Sequence, residues 1–157
     1  MKRTKRVVLA VNVCVLAPFN VTHPVSGSPR RVFEISAGLA NAGVSVIILH
    51  SGPSGTVQRN LRTIGFAGLE RLPLTRSWSW SGAVDTYLSP ANFSLYRSLI
   101  QLCRQLAIDV LQIEGPWPIF SARIAHAINR KMQIVYDAHN VESLSVRFSS
   151  IAPWLWP

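Results

Sequence analysis

The sequence is short of cysteine, of acidic residues and of long apolar runs, and each shortage excludes something. Cys14 and Cys103 are the only cysteines, and both sit in apolar surroundings (Val13-Cys14-Val15 and Leu102-Cys103). Two cysteines cannot complete a four-ligand zinc site, and His23, His50, His126 and His139 lack zinc-motif spacing, so no metal is expected. The thiols read as buried and reduced, which points to a cytoplasmic home. No uncharged apolar run reaches the roughly 18 residues of a membrane span.

Several motifs are also missing. A dinucleotide site needs Gly-x-Gly-x-x-Gly after the first strand and an acidic residue at the end of the second; here Gly27 stands alone and His50 takes the acid's place. There is neither a Gly-x-x-x-x-Gly-Lys-Ser/Thr phosphate loop nor a Gly-x-Ser-x-Gly nucleophile elbow. NAD enzymes, P-loop NTPases and serine hydrolases are therefore disfavoured. Asp and Glu number 7 against 16 Lys and Arg, a net charge of +9 that favours anionic partners such as phosphorylated sugars or an acidic membrane face. Apart from Lys2, Arg3, Lys5 and Arg6 the cations are scattered, so a nucleic-acid stripe is not expected.

What is present fits one packed domain: 157 residues, 48% hydrophobic and 15% charged. The basic start followed by Val7 to Val11 also describes a secretory leader, but Asn12 interrupts it, and cleavage would remove the first strand of a strand–helix–strand unit. Apolar runs followed by turn residues and helical patterns recur, the signature of a parallel sheet with crossover helices. Strands are expected at Val7 to Ala17, Val44 to His50, near Leu69 to Leu74, Asp109 to Glu114 and Met132 to Asp137. Helices are expected after Ser28-Pro29, with Val32, Ile35, Leu39 and Ala42 as the buried stripe and Gly43 past the end; after Ser89-Pro90, with Phe93, Tyr96, Leu99, Ile100, Cys103 and Leu106 inward; and over Pro118 to Asn129. Residues 51 to 89 are the least legible. The fold class is α/β, a doubly wound Rossmann-like parallel sheet over residues 1–150, followed by an apolar Trp-rich tail at 151–157.

Ligands of such sheets bind beyond the carboxyl ends of the strands. The loop Ser26-Gly27-Ser28-Pro29-Arg30-Arg31 leads into a helix N-terminus, where free N–H groups and the dipole favour an anion; the bland alternative is a tight turn and a cap. Glu114-Gly115-Pro116-Trp117 puts a carboxylate beside an indole, a mixture suited to sugar hydroxyls and C–H faces, although a surface turn with a half-buried Trp explains it too. Asp137-Ala138-His139-Asn140-Val141-Glu142 sets a histidine between carboxylates that can fix its tautomer.

These segments, with Val32-Phe33-Glu34-Ile35 and on through Leu39, Gly43 and Val46, resemble the N-terminal half of GT-B glycosyltransferases of retaining family 4. Residues 26–35 look like that family's Gly-Gly-x-x-Arg loop and first helix, Asp109 to Glu114 like its later Asp-Val strand, and Tyr136 to Glu142 like its strand ending in histidine. Ser26 departs from the pattern, standing where the family has the first of two glycines. The resemblance implies transfer of a sugar from a nucleotide-diphosphate donor to a glycan or lipid-linked acceptor, with retention. Gly27 and Ser28 would lie near the donor phosphates, Arg30 near phosphate or acceptor, His139 beside the reacting sugar, and Glu114, Trp117, Asn140 and Glu142 toward the acceptor. The family's second, nucleotide-gripping domain finds no counterpart before Pro157, so the isolated chain is expected to be inactive without a donor-binding half, supplied in cis or in trans. A second reading is a non-catalytic sugar- or phosphate-binding module that pairs with a partner through Ile151 to Pro157. A peripheral contact with the inner membrane face, through the basic start and Trp78, Trp80, Trp154 and Trp156, is compatible with either.

Overall fold

The computed structural model describes residues 11–22, 27–69 and 88–138. Six strands form one sheet: β1 (Asn12–Leu16), β2 (Ser45–His50), β3 (Gly55–Gln58), β4 (Leu61–Gly65), β5 (Val110–Glu114) and β6 (Gln133–Asp137). Helix α1 (Gly27–Asn41) follows β1, α2 (Phe93–Gln105) precedes β5, and α3 (Ile119–Ile128) links β5 to β6. The strand order is β3-β4-β2-β1-β5-β6, with every neighbouring pair parallel except the β3–β4 hairpin.

Alternation along the strands feeds two cores. Cys14 and Leu16, Ile47 and Leu49, and Leu111 and Ile113 point to one face and pack with Leu95, Leu99 and Leu102 of α2 and Ala122 and Ala125 of α3. Val13 and Val15, Val46 and Ile48, and Leu61 point to the other and meet Val32 and Ala40 of α1. Burial on both faces is why β1 and β2 read as continuous apolar runs.

The helix ends follow from local chemistry. Gly43 takes φ +92°, and Val44 N–H reaches Leu39 O while Gly43 N–H reaches Ala40 O, the paired bonds of a Schellman stop. Asn92 caps α2 by accepting from Leu95 N–H at 3.1 Å.

Four expectations need correction. Helix α1 starts at Gly27, so Ser28 and Pro29 lie inside its first turn. Its buried positions are Pro29, Val32, Ser36 and Ala40, whereas Ile35 is 38% exposed, because small side chains at 36 and 40 let the helix lie close to the sheet. Ser89-Pro90 opens only a short 3₁₀ turn (Ser89–Ala91), and Asn92 begins α2. Phe93, expected inward, is 85% exposed.

Within the illegible stretch the chain forms the β3–β4 hairpin. Of the strand expected near 69–74, Leu69 lies outside any strand and 70–74 lie outside the described residues.

Candidate functional site

Because β1, β2, β4, β5 and β6 are parallel, their carboxyl ends share one edge of the sheet, and α1 begins there as well. From β1 the chain builds outward through β2 to β4, then crosses back to place β5 on the other side of β1. The crevice between the ends of β1 and β5 is thus the topological switch point, where an open α/β sheet leaves room for a ligand. Glu114 is the last residue of β5 and stands at this crevice.

Glu114 is 2% exposed, and its Oε1 accepts from Gln112 Nε2 at 2.7 Å. The same amide nitrogen lies 3.4 Å from Asp137 Oδ2 at the end of β6, and Asp137 Oδ1 accepts from Arg31 Nη2 at 2.8 Å. One polar chain, Arg31–Asp137–Gln112–Glu114, therefore ties the start of α1 to two strand ends. Alternation makes it possible: Gln112, Glu114 and Asp137 fall on the sheet face that α1 covers. A carboxylate removed from water is tolerated when its lone pairs are met, and such a group can still accept from a ligand hydroxyl.

After Glu114 the chain turns on Gly115 at φ +76°, with Gly115 N–H bonded to Asp137 O at 3.2 Å, and leads through half-buried Trp117 into α3. Gly27 is the exposed first residue of α1, and a Cβ there would meet nothing within 4 Å, so no group of the described chain demands glycine at this place. Ser28 is partly buried beside it. Arg30 points to solvent, bonded to Glu34 at 2.8 Å one helical turn on. The first turn of the helix carries no acidic residue, so its N–H groups present the positive end of the dipole, while the Arg30 and Arg31 guanidiniums beside it are each paired with a carboxylate. His139, Asn140 and Glu142 lie outside the described residues.

Two residues that sequence reasoning left unassigned organise this edge. Arg31 is the link to Asp137; its neighbour Arg30 draws attention first because it fills the motif position. His50, at the end of β2, is fully buried; its Nδ1 accepts from Val21 N–H at 3.3 Å and Gly52 N–H at 3.1 Å, which leaves Nε2–H to donate to Pro53 O at 3.1 Å. Burial pushes its pKa down to about 4. It is a neutral pin joining the loops after β1 and β2. Only its position at a strand end hinted at this. Among the described residues no cluster of three His, Cys, Asp or Glu side chains could hold a metal ion, and no helix is long and apolar enough to cross a membrane.

Comparison with known proteins places this architecture. The structure resembles sucrose-phosphate synthase from Thermosynechococcus elongatus with a TM-score of 0.68 at 12% identity, over 90% of this chain and 36% of that one. A glycosyltransferase from Rickettsia africae ESF-5 aligns at 14% identity and a TM-score of 0.49, over 90% of this chain and 34% of that one. The chain thus spans about a third of the length of the structures it matches. No curated protein matches the sequence significantly. The sequence profile described as Glycosyltransferase Family 4 matches residues 25–157, most of the chain. The chain belongs to glycosyltransferase family 4, and its sheet has the Rossmann-like α/β fold of one half of a GT-B architecture.

Proposed function

We propose that this domain forms the acceptor side of an enzyme that transfers a sugar from a nucleotide-diphosphate donor, with retention at the anomeric carbon. The observation that carries the reading is the chain Arg31–Asp137–Gln112–Glu114, which holds a buried carboxylate at the switch point next to a positive helix start. In this reading Glu114 accepts from an acceptor hydroxyl, and Trp117 offers its ring to a sugar face. Gly27 and Ser28 let the backbone N–H groups of α1 approach the donor diphosphate, and Arg30 adds charge beside them. His139 stands beside the reacting sugar, with Asn140 and Glu142 toward the acceptor. The positive charge that a departing diphosphate requires then comes from N–H donors and arginines, with no metal called for.

The donor nucleotide is gripped by a second Rossmann-like domain, so the activity belongs to the two halves together. The acceptor is a glycan or a lipid-linked sugar, met on the cytoplasmic side. The test is nucleotide-sugar turnover by the protein at its natural length, wild type against His139→Ala. Loss of about a hundredfold or more with an unchanged melting temperature supports the assignment. Wild-type turnover by His139→Ala overturns it.

A further inference from the structure

We propose that the outer surface of α2 and α3 is a docking face for an anionic lipid bilayer. The two helices leave large apolar groups in water: Phe93 is 85% exposed and Phe120 59%, with Ile119, Ile124 and Ile128 each about 40% exposed. Phe120, Ile124 and Ile128 recur every four residues and form a stripe along α3. Between the helices opens a cavity of about 560 Å³ lined by Pro90, Tyr96, Phe120, Arg123 and Ile124, its rim shaped by the Tyr96 hydroxyl donating to Pro90 O at 2.8 Å. Apolar surface of this kind, gathered on one face, marks an interaction site.

Charge selects the partner. Neither helix contains an Asp or Glu, while Arg97, Arg104 and Arg123 are all exposed and none makes an ion pair among the described residues. Arg97 and Arg104 share the solvent stripe of Phe93, four and eleven residues on, and Arg123 lies beside Phe120. The described carboxylates are elsewhere: Glu34 on α1 across the sheet, Asp109 bonded to Asn12 N–H at 2.8 Å, and Glu114 and Asp137 in the strand-end chain. A second copy of this face would set arginine against arginine, and a protein partner would ordinarily meet charges of both signs at the rim. Rings and branched aliphatics amid unopposed arginines suit the boundary between acyl chains and lipid phosphates.

The face also adjoins the ligand edge. Ile119 and Phe120 open α3 only five and six residues after Glu114. Docking does not depend on the transferase reading. Where that reading holds, it brings a lipid-linked acceptor to the crevice without leaving the bilayer.

The test is flotation of the natural-length protein with vesicles of phosphatidylcholine alone or with about one-third phosphatidylglycerol, at low and high salt. Wild type is expected to float with the anionic vesicles and to be released by salt. Arg97→Gln, Arg104→Gln and Arg123→Gln together are expected to lower partitioning on the order of a hundredfold, about fivefold for each cation at the surface. Phe93→Ser with Phe120→Ser is expected to lower it at least about tenfold, and both variants keep the wild-type melting temperature because all five side chains are exposed. Three results overturn the proposal: absence of wild-type flotation; equal flotation of the triple arginine variant, which assigns binding to the Lys2–Arg6 cluster; or a wild-type dimer by light scattering that Phe93→Ser with Phe120→Ser dissolves.

Discussion

Arg31, near the start of α1, donates to Asp137 at the end of β6 across 106 residues of sequence, and through Asp137 and Gln112 it is connected to the buried carboxylate of Glu114. Arg31 is 43% exposed and Asp137 17%, so solvent weakens the pair without erasing it. A double-mutant cycle with Arg31→Ala and Asp137→Asn, followed by urea unfolding, is expected to give a coupling of about 1 kcal/mol. A coupling near zero would mean that the helix start is held to β6 by other contacts.

His50 makes stability depend on pH. Its folded pKa of about 4 lies below the ordinary value of 6.5, so the unfolded chain binds the proton more readily. The stability that neutral His50 contributes is complete above about pH 6.5 and is lost as pH falls toward 4, a loss of about 3 kcal/mol over that window. Urea titrations of wild type and His50→Gln at several pH values check it. The variant is expected to be less stable at neutral pH, with a flatter acid limb; parallel limbs would exclude His50 as the cause.

Glycines separate packing from function. A Cβ on Gly65 would collide with the backbone carbonyl of Gly52, and one on Gly52 with the Asn20 amide and the His50 ring. Gly65→Ala is therefore expected to cost about 2 kcal/mol or more, since a backbone atom cannot swing aside. Gly27→Ala meets open space at the start of a helix and is expected to be neutral or slightly stabilising in thermal unfolding. Under the proposed function Gly27→Val nonetheless slows sugar transfer by obstructing approach to the donor diphosphate.

The two thiols are buried, and burial pushes both pKa values up. Neither is expected to react with a disulfide reagent at pH 8 in the folded protein, and both are expected to react once it is denatured. A rapidly reacting native thiol would show that the core beneath α2 opens.

The architecture was legible where one force dominated. Continuous apolar runs announced β1 and β2, and the glycine after Asn41-Ala42 announced the stop of α1. The β3–β4 hairpin was not, because exposed Thr56, Val57 and Arg62 carry no apolar alternation and the pairing comes from the sheet edge. The register of α1 was misread because Ser36 and Ala40 are chosen for size, which hydrophobic periodicity does not see. At the site, Glu114 was visible as a strand-end residue, whereas Gly27, read as a loop glycine before a Ser28 cap, is the first residue of α1. The Arg31–Asp137 contact was not, since nothing local joins residues so far apart in sequence.

Under the proposed function the strand-end carboxylate of Glu114 serves the acceptor. The measurement that tests it most directly is a steady-state comparison of wild type and Glu114→Gln in the natural-length enzyme, varying acceptor and donor separately. Glu114→Gln keeps the shape of the network while replacing one accepting carboxyl oxygen with a donor amide, so the acceptor KM is expected to rise about tenfold or more with the donor KM unchanged. A raised donor KM with an unchanged acceptor KM would contradict the account and move Glu114 to the nucleotide side.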